Sequence, residues 1–182
     1  EGWLDSLVAN KVPTKVGRIA LCHALTQRGG IRSEFTITKL ADHHYYVVSA
    51  GAAERYDSDF LQQRLPTGGS VTLRNITGSR GVFVLAGPRA RDVMAKLTDV
   101  PLDNASFPWL TGQVIEAGLA TDVYALRVNF VGALGWELHF PIEYAHGLFD
   151  AIFAAGAEHG IGMAGMRAME SLRMEKSYRM WG

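Results

Sequence analysis

NFVGALGWELHF, residues 129–140, joins residues that a buried strand wants to residues that it does not. Phe130, Trp136, Leu138 and Phe140 suit a buried strand, and a strand is expected over 136–140. Gly132 and Gly135 pack nothing and weaken a strand, so they mark a turn, a bulge or a close backbone approach. Glu137, set between Trp136 and Leu138, needs either solvent or a partner for its charge. Two readings are open. Glu137 sits on the exposed face of an edge strand, or it is a ligand carboxylate. A carboxylate accepts two parallel N–H bonds, which suits an arginine fork or a flat heterocycle with an amidine-like edge, such as a pteridine or purine. The two glycines would let such a ring approach the backbone.

Working outward, "VYALRVNF" (123–130) reads as the preceding strand and "IEYAHGLFDAIFAAGAEHG" (142–160) as an amphipathic helix closed by glycine. A last helix is expected over "AMESLRMEKSYRM" (168–180). Upstream, a helix is expected at 2–10, strands at 17–25, 29–40 and 45–50, and a helix at 52–65 closed by Pro66. "SVTLRNIT" and "GVFVLAG" (70–87) are two further strand candidates, and Pro88 opens a helix at "RARDVMAKL". "PLDNASFPWLTG" is loop. Strands and helices mix without a regular βαβ beat. The fold class is α+β, with mixed or antiparallel sheets and packed helices, and not a doubly wound parallel sheet.

The length, 182 residues, fits one domain and stretches to two small ones. Formal net charge is zero, which argues against a partner in nucleic acid, whose phosphates call for a basic excess. No apolar run approaches the roughly 20 residues of a membrane span, so no membrane partner is expected, and no signal-peptide pattern opens the chain. The single cysteine, Cys22, excludes an internal disulfide and a cysteine-based zinc site, and suits a reducing, cytoplasmic setting. The chain lacks a start methionine and stops at an aromatic-rich helix end, and so reads as a piece of something longer at both ends.

Three constellations compete for chemistry. "GIGMAG" (160–165) matches a three-glycine dinucleotide pattern but follows a helix where the pattern needs a strand, so it reads as loop. The six histidines show no metal-ligand spacing, and Cys22 and His23 are not a catalytic pair on adjacency alone, so no metal is expected. "GGIRSEFTIT" carries more. Alternation places Ile31, Ser33, Phe35 and Ile37 on one face and Arg32, Glu34, Thr36 and Thr38 on the other. Glu34 is then either one half of a solvated Arg32–Glu34 pair or a proton-handling carboxylate in a cleft. Tyr178 and Trp181, at the end of the last helix, read mainly as packing residues.

"RVNFVGALGWEL" resembles the Arg-x-x-aromatic-x-Gly-x-x-Gly-x-Glu segment of the folate-binding aminomethyltransferases, the family of the glycine-cleavage T protein. "GGIRSEFTIT" resembles the Gly-Gly-Ile-x-Asp-Asp strand of that family, and "AMESLRMEKSYRMWG" its Leu-Arg-x-Glu helix. The likeness is closer to the C-terminal folate half of dimethylglycine and sarcosine dehydrogenases, which have near counterparts of "ANKVPTKVGRIAL", "GWEL" and "LRMEKSYRMWG".

The resemblance implies part of a three-subdomain fold around a channel for tetrahydrofolate. Residues 1–182 would be a partial domain, lacking the first strands and the C-terminal β-rich subdomain. It implies transfer of a one-carbon unit from an amine to folate, forming 5,10-methylenetetrahydrofolate. FAD would sit only in an oxidoreductase domain outside this chain, in the same parent chain or complex. The compartment would be cytoplasmic, or the mitochondrial matrix in a eukaryote. By alignment Glu137 binds the pteridine edge with Phe130, Gly132 and Gly135 beside it, Trp181 lines the folate mouth, and Glu34 is the catalytic carboxylate. This sequence departs from the T protein in three places: Ser33-Glu34 replaces Asp-Asp, Met169 replaces a folate-contacting arginine, and Ser49 replaces an asparagine. The alternative is a non-catalytic folate-binding or structural module of the same fold. The folate-sensing relatives carry a Lys-Gly-Cys-Tyr-x-Gly signature, and "EKSYRMWG" has no cysteine.

Overall fold

The computed structural model describes residues 1–180. They form two compact units, Glu1–Ile76 and Thr77–Met180. The fold is α+β, and each unit is built on one antiparallel sheet.

The first unit opens with helix α1 (Gly2–Leu7), followed by strands β1 (Ile19–Leu25), β2 (Ile31–Ala41) and β3 (His44–Val48) and helix α2 (Glu54–Gln62). The sheet order is β1-β2-β3, so β2 is central. Ser33, Phe35 and Ile37 are buried as alternation requires, and Phe35 and Ile37 join Leu4, Cys22, Phe60 and Leu61 in the core. Burial also pushes the Cys22 thiol up from its ordinary value. Two residues depart from the alternation. Ile31 is exposed, because it faces Leu25 at the frayed end of the ladder, where the register shifts. Thr38, expected on the polar face, is buried between Ile19 and Tyr46 in mid-sheet.

The second unit contains β4 (Arg80–Ala86), α3 (Ala90–Met94), β5 (Gly112–Ala117), β6 (Ala120–Leu126), β7 (Gly135–Pro141), α4 (Ala145–Gly156) and α5 (Met166–Glu175). Its sheet order is β4-β7-β6-β5. Trp136, Leu138 and Phe140 point into a core shared with Phe107, Val123, Met94 and Leu148. Phe83 stacks on Phe140 with ring centroids 4.6 Å apart, and Phe107 meets Trp136 edge-on at 5.9 Å. As expected, the helical segment ends at a glycine: α4 runs on into a 3-10 turn, Ala157–His159, which Gly160 caps at φ 69°. Residues 161–165 then form the loop expected of "GIGMAG". Helix α5 ends earlier than expected, because Ser177 turns left-handed at φ 58° and the Tyr178 N–H bonds back to the Arg173 carbonyl.

Two element assignments are corrected. Residues 70–76 form no strand, although Val71 and Leu73 are half-buried and Thr72 between them is exposed. Alternation reports which side is covered, and it does not supply a partner for the backbone ladder. Conversely, β5 carries no clean alternation and was not expected. It is secured by a tight turn at Gly118 and Leu119, with Gly118 at φ 58°, which folds it onto β6.

Gly135 shows why the strand of Glu137 opens with glycine. A Cβ there would lie 2.4 Å from the Leu85 carbonyl oxygen and 2.8 Å from the Ala86 Cα, both on β4. Backbone cannot step aside as a flexible side chain can. Gly135→Ala is therefore expected to cost about 1–3 kcal/mol, as an overpacked core position does. It should appear as a lower midpoint in urea with an unchanged slope; an unchanged midpoint would mean that β4 and β7 do not approach as described.

Candidate functional site

Arg127 and Asn129 shape the turn that leads into β7. Arg127 is buried, donating to the Phe107 carbonyl and, at 2.7 Å, to Asn104 Oδ1, with its guanidinium 5.8 Å from the Trp136 ring centroid. Burial, with Arg91 nearby, lowers its pKa from the ordinary arginine value. The buried Asn129 side chain accepts from the backbone N–H groups of Val131 (3.1 Å) and Gly132 (2.9 Å) and donates to the Ala133 carbonyl (2.9 Å). Gly132 has φ 68°, and a Cβ there would meet Lys176 Cγ at 2.7 Å. Both glycines thus have structural reasons, one in a left-handed turn and one in a tight strand pair.

Asn129 was not singled out in the sequence, although an asparagine two and three residues before turn N–H groups is a recognised local signal. Asn129→Ala is expected to speed hydrogen exchange at Val131 and Gly132 by about tenfold, the scale of one lost hydrogen bond. Core amides of β7 should be unaffected, and equal acceleration throughout β7 would mean that Asn129 supports the whole sheet.

Beyond this turn, Glu137 lies on the sheet face opposite the Trp136/Leu138/Phe140 core. It is not on an edge strand: β7 lies between β4 and β6, and Glu137 faces Val84 on one side and Leu126 on the other. The edge-strand reading is thereby corrected. The side chain retains 22% of its exposure, and its Oε2 accepts from Nε2–H of His139 at 3.3 Å. A carboxylate only accepts, so the imidazole nitrogen is the donor. His139 is almost completely buried, between Val82 and Tyr124 in the cross-strand register. The same face exposes about half of Val82, Val84 and Val114. One oriented carboxylate therefore lies beside exposed aliphatic surface on a sheet. That combination suits a flat ring with N–H donors along one edge.

Phe130 is half-buried, with the Arg173 guanidinium 5.7 Å from its ring centroid. Arg173 also holds Glu170 through two nitrogens and donates to the Tyr178 carbonyl at 2.6 Å. Tyr178, expected as packing, is exposed, because the chain leaves α5 along the surface. Trp181 lies outside the described residues.

Glu34, in the first unit, sits directly opposite His23 on β1. Nε2–H of His23 donates to Glu34 Oε2 at 2.9 Å, and the side chains keep 32% and 30% of their exposure. The expected Arg32–Glu34 pair is not formed. The Arg32 guanidinium lies over Tyr56 (4.2 Å) and Phe60 (4.6 Å) and donates to the Tyr56 hydroxyl at 2.8 Å. Two aromatic faces hold it away from its strand neighbour. Among the described residues no group of three or more His, Cys, Asp or Glu gathers in a way that could hold a metal ion. No helix among them is long and apolar enough to cross a membrane.

The family model for the GCVT N-terminal domain matches residues 1–182. The chain is 37% identical over 180 residues to human mitochondrial dimethylglycine dehydrogenase, covering 98% of this chain and 21% of that protein. It is 34% identical over 193 residues to mouse mitochondrial sarcosine dehydrogenase, again covering 98% of this chain and 21% of that one. The chain thus spans about a fifth of the length of these curated relatives. Its fold is similar to that of the glycine cleavage system aminomethyltransferase T from Bartonella henselae, with a TM-score of 0.79 at 22% identity, over 98% of this chain and 46% of that one.

Proposed function

This chain belongs to the GCVT N-terminal domain family, and on that premise we propose that it is the tetrahydrofolate-binding, one-carbon-transfer part of a longer flavoenzyme related to dimethylglycine and sarcosine dehydrogenases. The observation that carries the reading is Glu137, an acceptor oriented by buried His139 on a sheet face with exposed valines. The N–H edge of a reduced pteridine is a donor pair, and a carboxylate is its complement. The family resemblance adds Phe130, Gly132, Gly135 and Trp181 to the folate-binding residues. A flavin domain outside this chain would supply the amine oxidation that delivers the carbon as an iminium. The compartment is the mitochondrial matrix in a eukaryote and the cytoplasm in a bacterium.

Tetrahydrofolate, the acceptor substrate, supplies two secondary amines that take up the carbon. In the balanced exchange an iminium R₂N⁺=CH₂ and two folate N–H groups give R₂NH, the methylene-bridged folate and one proton. Glu137 fixes the ring. The family resemblance assigns to Glu34 the role of the carboxylate that takes the released proton. Holding donor and acceptor together supplies much of the rate. Calorimetric titration of the protein with tetrahydrofolate tests the reading. Saturable binding that weakens in Glu137→Gln is expected, and no binding by the full-length enzyme would overturn it.

A further inference from the structure

Among the described residues, one side chain donates to Glu137, and that side chain is buried. His139 lies two residues along β7 on the same face, and it keeps 1% of its exposure where Glu137 keeps 22%. The ladder fixes both residues. Glu137 stands between Val84 and Leu126, and His139 between Val82 and Tyr124. Nε2–H of His139 meets Glu137 Oε2 at 3.3 Å. Among the described residues no lysine or arginine comes within ion-pair distance of Glu137. A carboxylate has two equivalent ends, because both oxygens only accept, whereas a side-chain amide accepts at one end and donates at the other. A buried N–H beside such a group therefore takes an acceptor for itself and decides what is left to face outward. Beside His139 a glutamate still shows an acceptor, and a glutamine of the same shape shows a donor.

We propose that His139 is a positioning residue for tetrahydrofolate: its N–H holds Oε2, leaves Oε1 for the ring, and makes the site selective for a ligand edge that carries N–H groups. The inference rests on the assignment of Glu137 as the carboxylate that holds the ring. No proton moves and no covalent bond changes.

The test is calorimetric titration with tetrahydrofolate of the full-length enzyme and of His139→Phe, His139→Gln, Glu137→Gln and the double variant Glu137→Gln/His139→Phe. His139→Phe fills the buried site but removes the donor. Its affinity is expected to fall about tenfold, the scale of one lost hydrogen bond to a charged group. A glutamine side chain carries its N–H to the same distance from the backbone as histidine Nε2–H, so His139→Gln should bind as the wild type does. The double variant decides between positioning and packing. In Glu137→Gln alone, the imidazole keeps the amide oxygen and the NH₂ faces the ligand. Removing the imidazole lets the amide turn, and its oxygen can then accept from the ring. His139→Phe should thus weaken binding to the carboxylate and strengthen binding, by up to about tenfold, when residue 137 is the amide. A histidine that only packs would lower affinity in both backgrounds or in neither. Should His139→Phe fail to fold, His139→Asn replaces it in both backgrounds, since its amide stays polar but is too short to reach Glu137. Wild-type affinity in His139→Phe, with Glu137→Gln weakened, would overturn the role of His139 and leave Glu137 in place. Further weakening in the double variant relative to Glu137→Gln would also reject it. Wild-type affinity in Glu137→Gln would overturn the assignment on which the inference rests.

Discussion

Glu34→Ala is expected to lower formation of 5,10-methylenetetrahydrofolate by about 10²–10⁴-fold, the range for a lost general acid or base. Amine oxidation should continue, so formaldehyde should accumulate in place of methylenetetrahydrofolate. The expected signature is therefore a change of product at constant amine consumption. Stability should change little. The side chain keeps 30% of its exposure and lies off the Phe35/Ile37 core face, so truncation removes one partly solvated bond to His23. Thermal melts of wild type and variant should nearly coincide. If Glu34→Ala unfolds the protein, Glu34 is a structural partner of His23 and not a reaction group. If the folate product is unchanged, the chemistry belongs to another carboxylate.

The second large effect concerns binding. Glu137→Gln preserves shape but replaces one acceptor oxygen with an NH₂ donor. His139 decides which end of the amide faces outward. Its Nε2–H, now 3.3 Å from Oε2, keeps the amide oxygen and turns the NH₂ toward the ligand. A donor then faces the donor edge of the pteridine. The expected cost is roughly 2–4 kcal/mol in tetrahydrofolate binding, since a buried charged hydrogen bond is lost and a polar group is left unpaired. Calorimetry reads this as a weaker dissociation constant with an unchanged melting temperature. Equal affinity in Glu137→Gln would show that the carboxylate does not hold the ring.

Much of this architecture was legible in the order of residues. Where apolar periodicity was strong the element appeared: β1, β2 and β3, α2 before Pro66, and α4 with the 3-10 turn that Gly160 caps. Local sterics and burial suffice for such elements. The Trp136/Leu138/Phe140 alternation likewise placed Glu137 on the face away from the core, and its motif placed the chain in its family. Residues 70–76 and β5 show the limit, because pairing is a property of two strands and alternation is a property of one.

The site shows the same division more sharply. The sequence by itself determined that Glu34 and Glu137 are carboxylates on strands with apolar neighbours, and that glycines stand beside one of them. It did not determine what each carboxylate touches. His23 is eleven residues from Glu34, and only the β1–β2 register sets them face to face. Arg32, the nearer cation in sequence, goes to two aromatic rings of α2. His139 shares the strand of Glu137, but only the placement of β7 between β4 and β6 buries it and commits its N–H to the carboxylate. Charge partners follow distance in space, and tertiary packing sets that distance at both carboxylates.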